Sequence, residues 1–195
     1  MIKDMLRLAA ILLVICGVAA ACVSAAHEQT LPLIAARRDA AVTAGYKQVL
    51  PAAGQLTDAE ADGKSIVAVK RSAVNGQTNG YIYTVTANGY SGPIVIMLGI
   101  EHPSARLSGV KILQQQETPG LGAKCTEPAF IGQFLGKDLQ QKLTVSKNAA
   151  QPQEIQAITA STITSRAVVK GINAARTHYQ KHFSTAASAA AEKGV

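Results

Sequence analysis

The nineteen residues from Leu8 to Ala26 carry no charge, and Ser24 is their only conventional polar side chain. At 1.5 Å per residue a helix of that length reaches about 28 Å, close to the hydrocarbon thickness of a bilayer. Such a segment crosses a membrane or is removed, so folding in water falls to the residues after it. Lys3 and Arg7 precede it, and positive flanks stay on the cytoplasmic side. This predicts a cytoplasmic N-terminus over residues 1–7, a single-pass transmembrane helix over 8–26 and an exported remainder. Two other readings of the same residues stay open. Val23-Ser24-Ala25 or Ser24-Ala25-Ala26 reads as a signal-peptidase site, and Ala19-Ala20-Ala21-Cys22 as a lipoprotein box without the usual Leu. The abundance of Ala keeps the segment only moderately hydrophobic, which suits cleavage.

The rest of the chain is long enough for one modest domain with a real core. A connecting helix and linker are expected over 27–60, with a helix from Pro32 to Ala44 stopped by Gly45. The domain proper is expected over 61–183. Within it Ser65–Arg71, Gly80–Ala87, Ile94–Ile100 and Leu107–Leu113 alternate or run apolar with β-branched residues, separated by Asn-Gly and Pro-containing turns. They predict a meander of four strands. Glu127–Leu135 reads as a short helix, and Lys142–Val145 and Glu154–Ile158 as further strands. Val168, Val169, Ile172, Ala175, Tyr179 and Phe183 recur at spacings of three and four, predicting a C-terminal helix over 164–183. The Ala/Ser-rich residues 184–195 read as a disordered tail. Strands followed by helices make the fold class α+β, with a mainly antiparallel sheet. Aromatics are only 4% of residues and Trp is absent, so the core is expected to be aliphatic.

Charge and cysteine usage narrow the function. The formal net charge is +7, but Lys and Arg are scattered without interleaved aromatics, which gives a nucleic-acid role no support. An acidic partner or anionic lipid fits the sign of the charge. Cys16 and Cys22 fall in the apolar segment, leaving Cys125 alone in the domain. That excludes an intradomain disulfide and a Cys-ligated zinc or iron–sulfur site; Cys125 reads as a plain buried thiol. His178 and His182 stand at i,i+4 without an evident third ligand, so no metal site is expected.

Two stretches carry chemistry. Ile158-Thr159-Ala160-Ser161-Thr162-Ile163-Thr164-Ser165-Arg166 gathers hydroxyls where the C-terminal helix begins. There unpaired N–H groups and the positive end of the helix dipole favour a phosphate. Plain N-capping is the more ordinary reason for Ser and Thr at such a place. Upstream, Glu117-Thr118-Pro119-Gly120-Leu121-Gly122 combines a fixed φ at Pro119 with two glycines. These permit a turn, or a close approach to a flat ligand.

In this order the two stretches resemble the FMN-binding domain of the G subunit of the Rnf electron-transport complex. The C subunit of the sodium-pumping NADH:quinone reductase shares this domain. Glu117 to Gly122 reproduces the family's Glu-Thr-Pro-Gly-Leu-Gly, and Gly89-Tyr90-Ser91-Gly92-Pro93-Ile94 is similar to its Gly-Tyr-x-Gly-x-Ile. Thr159-Ala160-Ser161-Thr162 stands where the family has Ser/Thr-Gly-Ala-Thr, whose last Thr bears FMN through a phosphoester. The chain departs from the pattern at Gln156 (usually Asp), Ala160 (Gly), Ser161 (Ala) and Gln115 (His). The resemblance implies covalent FMN on Thr162. Thr159, Ala160, Ser161, Thr164 and Ser165 would lie around the phosphate, and Glu117, Thr118, Gly120, Leu121 and Gly122 beside the ring system. It further implies a periplasmic domain anchored in the inner (plasma) membrane by the uncleaved segment. The partners it implies are the other membrane subunits of the complex, the lipid bilayer and a flavin transferase for maturation. The chain would carry electrons within a ferredoxin:NAD oxidoreductase that moves ions, with no catalysis of its own. The alternative is an anchored envelope protein that kept the fold, lacks flavin and acts as a non-redox interaction module.

Overall fold

In a computed structural model, residues 2–63 and 65–184 are described. They divide into two compact units, Met1–Val42 and Thr43–Val195. The described residues of the first unit are helical, and their stretch Ile2–Pro32 is long and apolar enough to cross a membrane. The expected helix over Pro32–Ala44 is not separate. A single helix, α1, runs from Ile2 to Val49 with Pro32 inside it. Gly45 does not stop it. Its missing side chain instead admits the Met97 Sδ, which a Cβ there would meet at 2.9 Å. The stop is Pro51, whose ring disfavours helical backbone at the preceding Leu50.

In the second unit β1 (Gln55–Ala59), β2 (Ile66–Val74), β3 (Gln77–Asn88), β4 (Pro93–Glu101) and β5 (Leu107–Gln114) form one antiparallel sheet in chain order. Four of the five fall on the segments expected from alternating or continuous apolar runs. The fifth, β1, shows neither because Gln-Leu-Thr-Asp-Ala has no apolar face. It is held by pairing with β2 and by the Asp58–Lys70 ion pair at 2.5 Å. Asn75 and Gly76 both adopt positive φ, 53° and 82°, the geometry that closes a two-residue hairpin between β2 and β3. β4 is buried on both faces, which explains its continuous apolar run. On one face Gly99 lies against the backbone of Val49, whose carbonyl accepts the Ser108 hydroxyl at 2.5 Å. On the other face Ile94, Ile96, Leu98 and Ile100 join the core.

That core is closed by α2 and α3. The expected helix over Glu127–Leu135 is broken: α2 is only Pro128–Ile131, followed by a 3-10 turn Gly132–Phe134, with another 3-10 turn, Gly122–Thr126, before it. This irregular path turns Phe130 and Phe134 edge-to-face, 5.4 Å apart, into the core. The two short strands shift slightly: β6 is Thr144–Ser146 and β7 Glu154–Gln156, paired in parallel. α3 spans Thr162–His182, beginning two residues before the expected Thr164. It buries Ala167, Val168, Ile172, Ala175 and Tyr179. Gly171 lets it approach the sheet, since a Cβ there would stand 3.0 Å from Ile96 and 3.3 Å from Val85. Of the tail expected over 184–195, all but Ser184 lies outside the described residues.

Candidate functional site

Three loops meet where α3 begins. The first is the Gly89–Gly92 turn between β3 and β4, closed by the Gly89 N–H on the Gly92 carbonyl at 2.8 Å. The second, Glu117–Gly122, comes after β5. The third is the turn Ile158–Ser161, closed by the Ser161 N–H on the Ile158 carbonyl at 2.9 Å. They enclose a cavity of about 460 Å³ lined by Tyr90, Glu117, Thr118, Leu121, Gly122 and the run Ala160–Thr164. The two motifs, 36 or more residues apart in sequence, thus form opposite walls of one space.

Glu117 ties the first two loops to the start of α3. Its Oε1 accepts the backbone N–H of Tyr90 and of Ser91, each at 2.9 Å, and its Oε2 accepts the Thr164 hydroxyl at 2.5 Å. The side chain is buried, so these three bonds replace water for an acceptor-only group that burial would otherwise penalise. Gly122 makes room for it: a Cβ there would lie 2.5 Å from Oε2 and 2.8 Å from the Thr164 hydroxyl. The close approach that the glycine-rich motif permits is therefore to its own Glu and to α3.

The hydroxyl run divides by direction. Thr162 is half-buried on the cavity wall, in the first turn of α3. Ser161 is the N-cap residue, yet its side chain makes no capping bond, so it does not satisfy the N–H groups of the first turn. Thr164 donates its hydroxyl proton to Glu117. Ser165 is fully buried away from the cavity; its Oγ donates to the Ser161 carbonyl and accepts the Ile158 N–H, both at 3.0 Å. It shapes the turn. Thr159 is exposed and outside the lining. Gly120, at φ +76° with open space around it, supplies the turn and does not touch the cavity.

Two lining residues were missed by sequence reasoning. Tyr90 and Ile163 are, with Leu121, large apolar side chains left 73%, 55% and 43% exposed at this one cavity. The Gly89–Ile94 motif was a signal for Tyr90; Ile163 had none beyond its place in the hydroxyl run. Among the described residues no Lys or Arg lines the cavity, so an anion there would meet backbone N–H groups and the helix dipole. Cys125 is buried, and burial, then the Glu117 carboxylate, pushes its thiol up to about 11. That makes it an inert core residue.

A family profile described as FMN-binding domain matches residues 89–177, spanning all three loops. The G subunit of the Na(+)-translocating ferredoxin:NAD(+) oxidoreductase complex of Acetobacterium woodii is 32% identical over 194 residues, 91% of this chain and 93% of that one. The G subunit of the ion-translocating oxidoreductase complex of Methanosarcina acetivorans is 27% identical over 89% of this chain and 93% of its own. Among solved structures, the C subunit of the Na(+)-translocating NADH-quinone reductase from Parabacteroides distasonis superposes with a TM-score of 0.52. It is 26% identical, covering 66% of this chain and 72% of that one.

Proposed function

This chain belongs to the family of G subunits of ion-translocating ferredoxin:NAD oxidoreductase complexes, and we propose that it carries electrons there through an FMN esterified to Thr162. The observation that carries the reading is the meeting of an uncapped helix start, a half-buried Thr and an apolar rim in one cavity. The residues present fit such a group. A volume of about 460 Å³ falls within the roughly 300–1,000 Å³ of small-molecule sites. The first-turn N–H groups of α3 suit a phosphate, the dipole adding roughly 0.3–1 kcal/mol at an exposed end. Tyr90, Leu121 and Ile163 suit a flat ring that would cover them.

FMN, when bound, supplies one- and two-electron transfer. The chain's own part is to hold and orient it. Thr162 would provide the attachment oxygen, and its β-methyl limits the hydroxyl to few rotamers. Ser161 and the Thr162–Thr164 backbone would hold the phosphate. Glu117 would keep the opposite wall, with Thr118, Leu121 and Gly122, in register with the helix. Thr159, Gly120 and Ser165 would act one step back, by shaping the turns. Residues 8–26 would span the inner membrane, with 1–7 cytoplasmic, the residues between 27 and β1 connecting, the periplasmic FMN-binding domain running from β1, earlier than the expected residue 61, to residue 183, and 184–195 a tail. The remaining subunits of the complex and a flavin transferase would be its partners.

The test is fluorescence of the denatured protein in a gel, purified from a host that supplies the transferase. The native chain should fluoresce and Thr162→Ala should not, while its circular dichroism stays native because the apolar face of α3 is untouched. Mass spectrometry placing FMN on Thr159, Ser161 or Thr164 would refute the assignment. Finding no FMN anywhere with an active transferase would favour the non-redox interaction module.

A further inference from the structure

Away from the cavity, α3 and β6 border an open groove of about 530 Å³. Among the described residues its lining includes Lys142, Arg166 and Lys170 and no acidic residue. All three cations are exposed, and none has an acidic partner among the described residues. Its floor is apolar, with Leu143 and Val169 buried and Val145 half-buried. A cationic rim over an apolar floor selects an occupant that is both acidic and amphipathic.

The backbone specifies its shape. β6 pairs with β7 through the Thr144 N–H on the Gln153 carbonyl at 3.0 Å and the Ser146 carbonyl under the Ala157 N–H at 2.8 Å. By the alternation of a parallel ladder, Val145 then turns its own N–H and C=O to the opposite edge, the groove side. Two residues earlier that edge is already closed: the Asn173 side chain accepts the Leu143 N–H at 3.0 Å and donates to the Leu143 carbonyl at 2.9 Å. Asn173 thus mimics a neighbouring strand for Leu143, and the edge beyond it stays open at Val145.

We propose that this groove docks an extended, acidic segment of a partner protein, which pairs with the open edge of β6 while its carboxylates meet Lys142, Arg166 and Lys170. Strand addition supplies affinity through main-chain bonds, and the flanking charges supply selectivity. Arg166 stands one helical turn, about 6 Å, beyond Thr162 on α3. A segment seated here would bring its protein beside the cavity without entering it. The proposal does not rest on flavin attachment and holds for the flavin-free chain.

The probe is a fluorescein-labelled peptide of alternating Glu and Val, titrated by anisotropy onto the full chain in neutral detergent. Its Lys–Val counterpart should not bind. The double variant Lys142→Glu/Lys170→Glu, with melting checked by circular dichroism, should weaken binding by roughly tenfold, as expected for two reversed surface charges. Should that variant unfold, Lys142→Ala/Lys170→Ala replaces it. N-methylation of alternate peptide bonds should also weaken binding, which a purely ionic contact would not show. Equal binding by the Lys–Val peptide, or by the charge-reversed protein, overturns the proposal. So does failure of the Glu–Val peptide while phosphatidylglycerol vesicles, and not phosphatidylcholine ones, protect Lys142 and Lys170 from acetylation; the groove would then be a lipid contact.

Discussion

Glu117 shows how much one side chain organises here. Its carboxylate takes two backbone N–H groups from one loop and a hydroxyl from α3, so three segments distant in sequence share one acceptor. Opposite it, Ala160 works against the fold. It is the third residue of the Ile158–Ser161 turn and adopts φ +60°, at the position where the family pattern has Gly. A left-handed alanine costs roughly 1–2 kcal/mol, and glycine's extra unfolded entropy costs roughly 0.5–1 kcal/mol. Ala160→Gly should therefore raise stability by about 0.5–1 kcal/mol, read as a higher urea midpoint at unchanged slope. A lower midpoint would mean that the Ala160 methyl packs usefully enough to offset its strain.

At the level of elements, the Glu117–Gly122 loop separates two glycines that look equivalent in sequence. Gly120 needs its positive φ but has open space; Gly122 has no such φ but no space. Gly120→Ala should lower stability by about 1 kcal/mol and leave the flavin absorption spectrum alone. Gly122→Ala should displace Glu117 and Thr164 and shift that spectrum and the redox titration. Equal spectral effects from the two would show that the loop moves as one body and that the packing distinction is irrelevant. The same distinction explains Gly45, which sits inside α1 for contact with Met97 and terminates nothing.

Across the whole molecule, stability should fall on acidification. His178 is buried near the end of α3, its Nδ1 3.2 Å from the Tyr83 hydroxyl, with His182 stacked on it at 4.4 Å. His102 Nδ1 lies 2.9 Å from the Tyr179 hydroxyl. Burial lowers both imidazoles below their ordinary 6.5; His182 and Lys181 lower His178 further, while Asp62 and Glu60 oppose. The unfolded chain thus binds protons first, and stability present above about pH 6.5 is lost as pH falls below it. The melting temperature should decline from about pH 7 to about pH 5, with a shallower decline in His178→Phe; an unchanged slope there would assign the effect to other groups. The apolar Ile2–Pro32 stretch carries its own test. Sequencing the native N-terminus should find the segment retained, and a mature start at Cys22, or at residue 26 or 27, would replace the anchor by a lipoprotein or a secreted form.

Periodicity and punctuation alone determined the apolar N-terminal helix, four strands of the meander, the long C-terminal helix and the α+β class, because each arises from local pattern over many residues. The two motifs were legible as well, since turn and helix-start chemistry is local. Three things were decided only by tertiary structure. β1 forms because β2 offers an edge, and its own five residues are too polar to announce it. The Glu127–Leu135 stretch divides into α2 and a 3-10 turn, and the edge-to-face meeting of Phe130 and Phe134 in the core is not contained in its local pattern. The hydroxyl run divides into Thr162 at the cavity, Thr164 on Glu117 and Ser165 inside the turn. A hydroxyl's role depends on which partner faces it, and Glu117 stands 47 residues before Thr164; no local pattern contains that meeting.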